Sequence, residues 1–311
     1  MNVREFAKLL KERDGFLLLT HKNPDGDTVG SAAALCSALR RTGKTAFLYP
    51  NPGFVKKQLD YLAGYCAAPE FEPETVISVD IASETLFPLG FSGTVDFCVD
   101  HHPSNTHFAR RELIRDDRAS CGEIVLELVK ALAERPSREE ATLLYIAVST
   151  DTGCFQYANT DARTLSAASE LLRLGAESFP VNRRFFREVS PARLKLEGMI
   201  YSKARFYREN RLAVAIITRE MLRESGAGPD DLDDLAGLIG RCEGTLLNLT
   251  IRELDNGESK VSARSGREIN SSRLCAMFGG GGHAMAAGCT IPAPPEKAAR
   301  LLLDVVDEVW P

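Results

Sequence analysis

His21, Asp25 and Asp27 stand in HKNPDGD, directly after the apolar run FLLLT (16 to 20). Asp80 ends TVISVD, Asp100, His101 and His102 end or follow TVDFCVD, and Asp151 follows the apolar LLYIAVST. Carboxylates and imidazoles are ligands for divalent cations. Singly, each has an ordinary explanation: Asn-Pro-Asp-Gly is a turn sequence, Asp27 can cap a helix beginning at 28, and a lone aspartate after a strand or helix is a cap or turn residue. Together they ask for more, because three of the chain's five histidines fall in these segments. Four carboxylates packed together would repel and would not all ionise without cations. Two divalent cations remove that repulsion, and the mixed ligands suit Mn²⁺, with Mg²⁺ or Fe²⁺ as alternatives. Gly26 lets Asp25 and Asp27 turn toward two neighbouring ions.

These residues share one place only if the elements around them bring them there. FLLLT, TAFLYP (45 to 50), TVISVD (75 to 80) and TVDFCVD (94 to 100) have the apolar, β-branched composition of buried strands. Helices are expected at 28 to 43, 120 to 134, 137 to 149 and 161 to 175, the last capped by Asp161. The alternation predicts an α/β fold with a parallel sheet in the N-terminal domain and helices on both of its faces. In such a sheet, residues just past the carboxyl ends of the strands share a crevice. His21, Asp25, Asp27, Asp80 and His101 all fall at such ends, and Asp151 can reach the same rim from its helix. The notation of the chain then changes: 181 to 199 holds charges and Pro191 and reads as a connection between a domain at 1 to 180 and a smaller α/β domain at 200 to 311. That second part has a strand at 212 to 220, a helix at 230 to 244, a hairpin turning at Asp255-Asn256-Gly257 and a final amphipathic helix at 296 to 310.

GGGGH (279 to 283) lies between two apolar segments, RLCAMF and AMAAGC, which makes it more than a spacer. Successive glycines bring backbone N–H groups close to an anion. Upstream, SARS (262 to 265) places Arg264, a bidentate phosphate binder, between Ser262 and Ser265.

With 311 residues the chain is long enough for two domains. The formal charge of -5 argues against long nucleic acid held on a basic surface, though not against a small phosphorylated ligand held by a few cations. None of the eight cysteines forms a C-x-x-C pair, which argues against a zinc ribbon or thioredoxin motif and for reduced thiols. MNVREFAKLLKERDG reads as an amphipathic helix rather than a signal peptide, and no apolar run approaches membrane-spanning length. The expected location is the cytoplasm, with no membrane partner; the sequence leaves a homodimer open.

In order, HKNPDGD, VD, DHH and DTG resemble the four motifs of the DHH phosphoesterase family, and SARS with GGGGH resembles the small domain that accompanies it. The likeness runs from His21 to Cys289 and is best to the compact NrnA-type oligoribonuclease and phosphoadenosine-phosphate phosphatase group. RecJ exonucleases of the family carry further domains, and its manganese pyrophosphatases use a lysine-rich motif not found in this sequence. The resemblance implies one ion on His21, Asp25 and Asp80 and another on Asp27, Asp80, His101 and Asp151, with Asp80 bridging. It implies His102 beside the scissile phosphate, Asp100 behind the histidines, and Asn105, Ser262, Arg264, Ser265, Gly280, Gly281, Gly282 and His283 toward the substrate, in a cleft between the domains. The implied reaction is phosphoester hydrolysis by a hydroxide generated between two cations, acting on short RNA or small nucleotides such as 3′-phosphoadenosine 5′-phosphate. The competing expectations are a cyclic-di-AMP or linear dinucleotide phosphodiesterase, and a nucleotide sensor without turnover.

Overall fold

A computed structural model describes residues 1–68, 70–232 and 235–310. The chain divides into two compact units, Met1–Glu188 and Val189–Pro311, each described here by itself.

The first unit is built on β1 (Phe16–Leu19), β2 (Ala46–Leu48), β3 (Thr75–Val79), β4 (Phe97–Asp100) and β5 (Arg111–Ile114), all parallel in the order β2-β1-β3-β4-β5. The expected parallel sheet is therefore present, with β5 as an additional edge strand. That strand escapes the hydrophobic pattern because, of its four residues, only Leu113 is buried. The helices are α1 (Val3–Lys11), α2 (Gly26–Arg41), the single turn α3 (Lys56–Leu59), α4 (Cys121–Ala133), α5 (Arg138–Asp151), α6 (Ala162–Arg173) and α7 (Ser178–Phe186).

Alternate strand residues point to opposite faces, and the two faces are covered differently. Phe16, Leu18, Ile77, Val79, Phe97 and Val99 pack with buried residues of α1, α2, α4 and α5 in one large core. Leu17 and Leu19 face the other way, into a smaller cluster with Ile81, Val95, Phe71, Phe87, Phe91 and Phe108. That side is covered by coil and the 3₁₀ turn Glu84–Leu86, whose phenylalanines meet edge to face, Phe87 lying 5.2 Å from Phe108 and 5.5 Å from Phe91. The expectation of helices on both faces is corrected here: aromatic side chains on short connections supply the apolar cover that a helix would otherwise give.

Helices α2 and α5 approach closely at Gly30, where a Cβ would fall 2.3 Å from the Leu143 carbonyl oxygen. Gly30→Ala should push the pair apart and destabilise the unit by about 2 kcal/mol, read as a lower midpoint in urea unfolding at unchanged slope.

In the second unit, α8 (Pro191–Lys203) leads into β6 (Arg205–Tyr207) and β7 (Leu212–Ile217), followed by α9 (Arg219–Ser225), β8 (Leu247–Glu253), β9 (Ser259–Ser265), α10 (Ser271–Ala276), β10 (Gly281–His283), β11 (Ala286–Ile291) and α11 (Pro295–Val305). The mixed sheet runs β10-β11-β9-β8-β7-β6, with β7 and β8 parallel and the other pairs antiparallel. Leu212, Val214 and Leu249 pack with α10 and α11 on one face, while Ala213, Ala215 and Ile217 pack with α8 and α9 on the other. The hairpin expected at Asp255-Asn256-Gly257 joins β8 to β9, with Gly257 at φ 81°. The helix expected at 230 to 244 is instead two 3₁₀ segments, Pro229–Leu232 and Leu235–Arg241; residues 233 and 234 lie outside those described. The stretch 181 to 199 is largely helical, because Pro191 occupies the first position of α8, where a missing N–H costs nothing.

Candidate metal centre

The strand order reverses direction at β1, so β1 and β3 lie side by side and their carboxyl ends flank a crevice. His21 follows β1, Asp80 follows β3, Asp100 ends β4, and His101 and His102 come next. Asp25 and Asp27 enter the same crevice from the start of α2, and Asp151 enters it as the last residue of α5.

The local fold gives each aspartate a distinct job. Asp25, not Asp27, is the N-cap of α2: its Oδ1 accepts the N–H groups of Asp27 and Thr28 at 3.0 and 3.1 Å. Asp27 is inside the helix, 1% exposed, and points at α4. Its Oδ2 accepts the Cys121 N–H at 2.7 Å, and its Oδ1 accepts the Gly122 N–H and the Ser31 hydroxyl, each at 2.9 Å. The positive end of α4 thus fixes this carboxylate. Sequence reasoning did not reach Cys121 and Gly122 as partners, and the only signal was Ser120 before an apolar helical run.

Seven nitrogen–oxygen approaches set the geometry. His21 Nε2 lies 3.6 Å from Asp25 Oδ1 and 3.9 Å from Asp80 Oδ2. His101 Nε2 lies 3.5 Å from Asp80 Oδ1, 3.7 Å from Asp151 Oδ2 and 3.8 Å from Asp27 Oδ2. His102 Nδ1 lies 3.5 Å from Asp80 Oδ1 but is held by Asp100 Oδ1 at 2.8 Å. The first five approaches are too long for hydrogen bonds. They match donors that share one cation, since bonds of about 2.0–2.2 Å at angles near 90–110° place two ligands roughly 3–4 Å apart. Two triads, His21 with Asp25 and Asp80, and Asp27 with His101 and Asp151, have their ligand atoms within 4.8 Å of one another.

Asp80 is the carboxylate best suited to hold a cation. It is 3% exposed, and its Oδ1 has no hydrogen bond. Its backbone is left-handed, at φ 60°, an uncommon conformation for a residue other than glycine and one that recurs at functional sites. Burial, followed by the charges of Asp27, Asp25, Asp100 and Asp151, pushes its carboxyl well above the usual range. Burial, with Asp151 and Asp25, does the same to Asp27. Burial and the Asp25 charge raise Asp151 to about 7. Left without a cation, three neighbouring carboxyls resist ionisation; a divalent ion is what such a cluster needs.

The histidines are prepared in different ways. His101 donates Nδ1–H to the Arg118 carbonyl at 3.2 Å, which leaves the Nε2 lone pair facing the carboxylates. Burial and the neighbouring His102 lower its pKa, and neutral imidazole is the ligating form. His102 donates Nδ1–H to Asp100, and that bond raises its pKa against the effect of burial. Burial opposes the charge of Asp100, but His102, Asn105 and the His101 N–H outweigh it and hold the carboxyl low. Asp100→Asn should lower the His102 pKa in an NMR titration and reduce any hydrolytic activity about 10–100-fold.

Asn105 is buried, gives its amide to Asp100 Oδ2 at 2.7 Å and accepts the His107 N–H at 2.8 Å. Its polar groups are committed to bracing Asp100 rather than open to a ligand. In the second unit, cross-strand register puts Asn248, Arg264, Ala286 and His283 in one row and Thr250, Ser262, Gly288 and Gly281 in the next, all on one sheet face. Arg264 donates to the Ala263 carbonyl at 3.1 Å and forms no ion pair among the described residues. The small Ala286 and Gly288 leave a bed between Arg264 or Ser262 and the exposed β10. Ser265 does not join them: strand alternation turns it to the other face, where its hydroxyl donates to the Ile269 carbonyl at 2.7 Å and accepts from Ser271 at 2.8 Å. Gly282 likewise pairs with Ala287 on that other face. The expected glycine loop is in part an edge strand, Gly281–His283, so some of its N–H groups serve the ladder instead of an anion. Gly280 must be glycine, because a Cβ there would fall 2.2 Å from the Gly288 carbonyl oxygen.

A model of the DHH family, N-terminal domain, matches residues 16–148, and one of the DHHA1 domain matches residues 209–310. A Thermus thermophilus protein named bifunctional oligoribonuclease and PAP phosphatase NrnA is 30% identical over 98% of this chain and 94% of its own. The chain belongs to the DHH family. A second relative of the same name, from Bacillus subtilis, is 27% identical over 97% of this chain and 96% of its own. The DHH fold itself is matched by the crystal structure of an exopolyphosphatase-related protein from Bacteroides fragilis, with a TM-score of 0.88 over 98% of this chain and 95% of that one at 22% identity. Among the described residues, no helix of this DHH protein is long and apolar enough to cross a membrane.

Proposed function

We propose that this DHH phosphoesterase hydrolyses short oligoribonucleotides and 3′-phosphoadenosine 5′-phosphate to mononucleotides, using two divalent cations, with Mn²⁺ the best match to the ligands. The observation that carries the reading is Asp80: a buried carboxylate with an unpartnered oxygen, standing between two groups of ligand atoms. His21, Asp25 and Asp80 would hold one cation, and Asp27, Asp80, His101 and Asp151 the other. Bound there, the cations supply Lewis acidity toward phosphoryl oxygens and lower the pKa of water.

The chain's own residues supply the rest. Asp100 fixes His102 through Nδ1, so Nε2 is free to give a proton to the leaving oxygen or a hydrogen bond to the phosphate. Asn105 keeps Asp100 in place. Arg264 and His283, in one row of the second sheet, bind the terminal phosphate of the substrate, with Ser262 and Gly281 in the adjacent row. A few cations at a terminal phosphate select short substrates, and the formal charge of -5 disfavours long ones. The names of the Thermus thermophilus and Bacillus subtilis relatives, oligoribonuclease and PAP phosphatase, support this substrate class.

The test is an assay in MnCl₂, with an EDTA control, of a diribonucleotide, 3′-phosphoadenosine 5′-phosphate and cyclic-di-AMP. The first two should be hydrolysed, and EDTA should stop both reactions. Turnover of cyclic-di-AMP alone would move the protein to a cyclic-dinucleotide phosphodiesterase, and binding without turnover of any of them would make it a sensor.

A further inference from the structure

We propose that Tyr157 is the platform on which a nucleobase of the substrate stacks, an inference that rests on the nucleotide reading above and adds a specificity residue to it. The segment after Asp151 is an unusual turn. Gly153, Cys154 and Phe155 are all left-handed, at φ 55°, 56° and 65°. This backbone is unfavourable for cysteine and phenylalanine, so something must hold it. The Cys154 N–H donates to the Ser149 carbonyl at 2.7 Å, and the N–H groups of Gln156 and Tyr157 donate to the Thr152 carbonyl at 2.9 and 3.0 Å. The Phe155 N–H donates to Thr152 Oγ1 at 3.2 Å, and Asn159 Nδ2 donates to the carbonyl of Asp151 itself at 3.1 Å.

The two aromatic residues of the turn go opposite ways. Phe155 packs inward, its ring 6.0 Å from that of Tyr145. Tyr157 is 60% exposed and makes no side-chain hydrogen bond among the described residues. Its ring rests on the Gly153 backbone, where a Cβ would fall 2.4 Å from it. Gly153 is two residues from the metal-facing Asp151, hence within about 8 Å along the chain. A strained, well-bonded turn therefore presents an exposed aromatic ring on the segment that directly follows Asp151. Core packing does not explain the ring, and its hydroxyl is not anchoring it. Stacking on an exposed aromatic is tolerant of base identity, which suits an enzyme for short RNA of any sequence.

The experiment is steady-state hydrolysis of a diribonucleotide in MnCl₂ by the full chain and by Tyr157→Ala, Tyr157→Leu and Tyr157→Phe, with circular dichroism melts as the fold control. Loss of the ring should raise KM about tenfold in the Ala and Leu variants with kcat within about twofold, and Phe should restore the wild-type KM. Of two dinucleotides made abasic at one position or the other, the one lacking the stacked base should be indifferent to Tyr157→Ala, and the other should still show the raised KM. Equal KM for wild type and Tyr157→Leu, or a Phe variant as poor as Ala, overturns the proposal while leaving the phosphoesterase reading intact. Wild-type protein that turns over none of the nucleotides removes both.

Discussion

Replacing Asp80 with asparagine should eliminate manganese-dependent hydrolysis, by roughly 10³-fold or more, and at the same time make the metal-free protein more stable at pH 7. The loss follows from position. Asp80 oxygens lie near both His21 and His101, so in the proposed centre both cations would share its carboxylate, and several kcal/mol of transition-state stabilisation would go with it. The gain follows from charge. Burial and four neighbouring carboxylates push the Asp80 carboxyl well above its usual range, so above the unfolded value the metal-free fold is destabilised by a group that the unfolded chain ionises freely. Asparagine needs no proton, fits the same volume and tolerates the left-handed backbone. A gain in stability in EDTA at pH 7 that shrinks as the pH is lowered toward 4 is the expected result of urea titrations. A variant that is both inactive and less stable under those conditions would mean that Asp80 is there for packing and not for cations.

Metal and pH should act on stability with opposite slopes. Asp151 rises from 3.8 to about 7 in the fold, and Asp27 and Asp80 are raised as well. A carboxyl whose folded pKa lies above its unfolded value gives stability that is complete below about pH 4 and is lost as pH climbs through the folded value. His102, also raised, acts in the same sense; His101, lowered, is the opposing group. In EDTA, stability should therefore fall between pH 4 and 7, by about 4 kcal/mol from Asp151 alone. With Mn²⁺ at a thousand times its Kd the protein should gain about 4 kcal/mol, and the gain should grow with pH because cations compete with protons for the same ligands. Thermal melts from pH 4 to 7.5 with and without MnCl₂ measure both. A melting temperature that Mn²⁺ leaves unchanged at pH 7 would remove the metal centre from consideration.

Much of the site was legible because its residues end strands. In a parallel sheet, ending a strand is already a spatial statement, and His21, Asp80 and His101 converge for that reason alone. Asp25 and Asp27 were harder: sequence cannot say which aspartate caps a helix and which lies inside it, and only the meeting of Asp27 with the N-terminus of α4, across more than ninety residues, separates their roles. Asn105 and Ser265 show the opposite failure. Each is polar and lies beside a motif, but side-chain direction depends on burial and strand parity, and both turn into the protein. The covering of the first sheet was misread because aromatic residues scattered over coil have no period, so 82 to 93 and 101 to 110 offer nothing that resembles a layer. Likewise β5 lies at an edge, and its sequence carries one buried residue where a pattern would need several.

The lopsided first sheet divides the candidate ligands by how firmly they are moored. Asp25, Asp27 and Asp151 belong to α2 and α5, two helices of the large core, whereas Asp80 opens directly into the phenylalanine-covered coil, through Ile81 and Ala82, whose carbonyls hold Asn105 and Thr106. Coil roofing of this kind should peel back long before the helical core melts. In the proposed centre an ion would then be traded with the surroundings through a hinged shutter, losing Asp80 first while its other ligands stay in place. The residence time of the metal would report the opening of that shutter, and changes at Phe87 or Phe108, neither of them a candidate ligand, would set how fast the proposed centre is loaded.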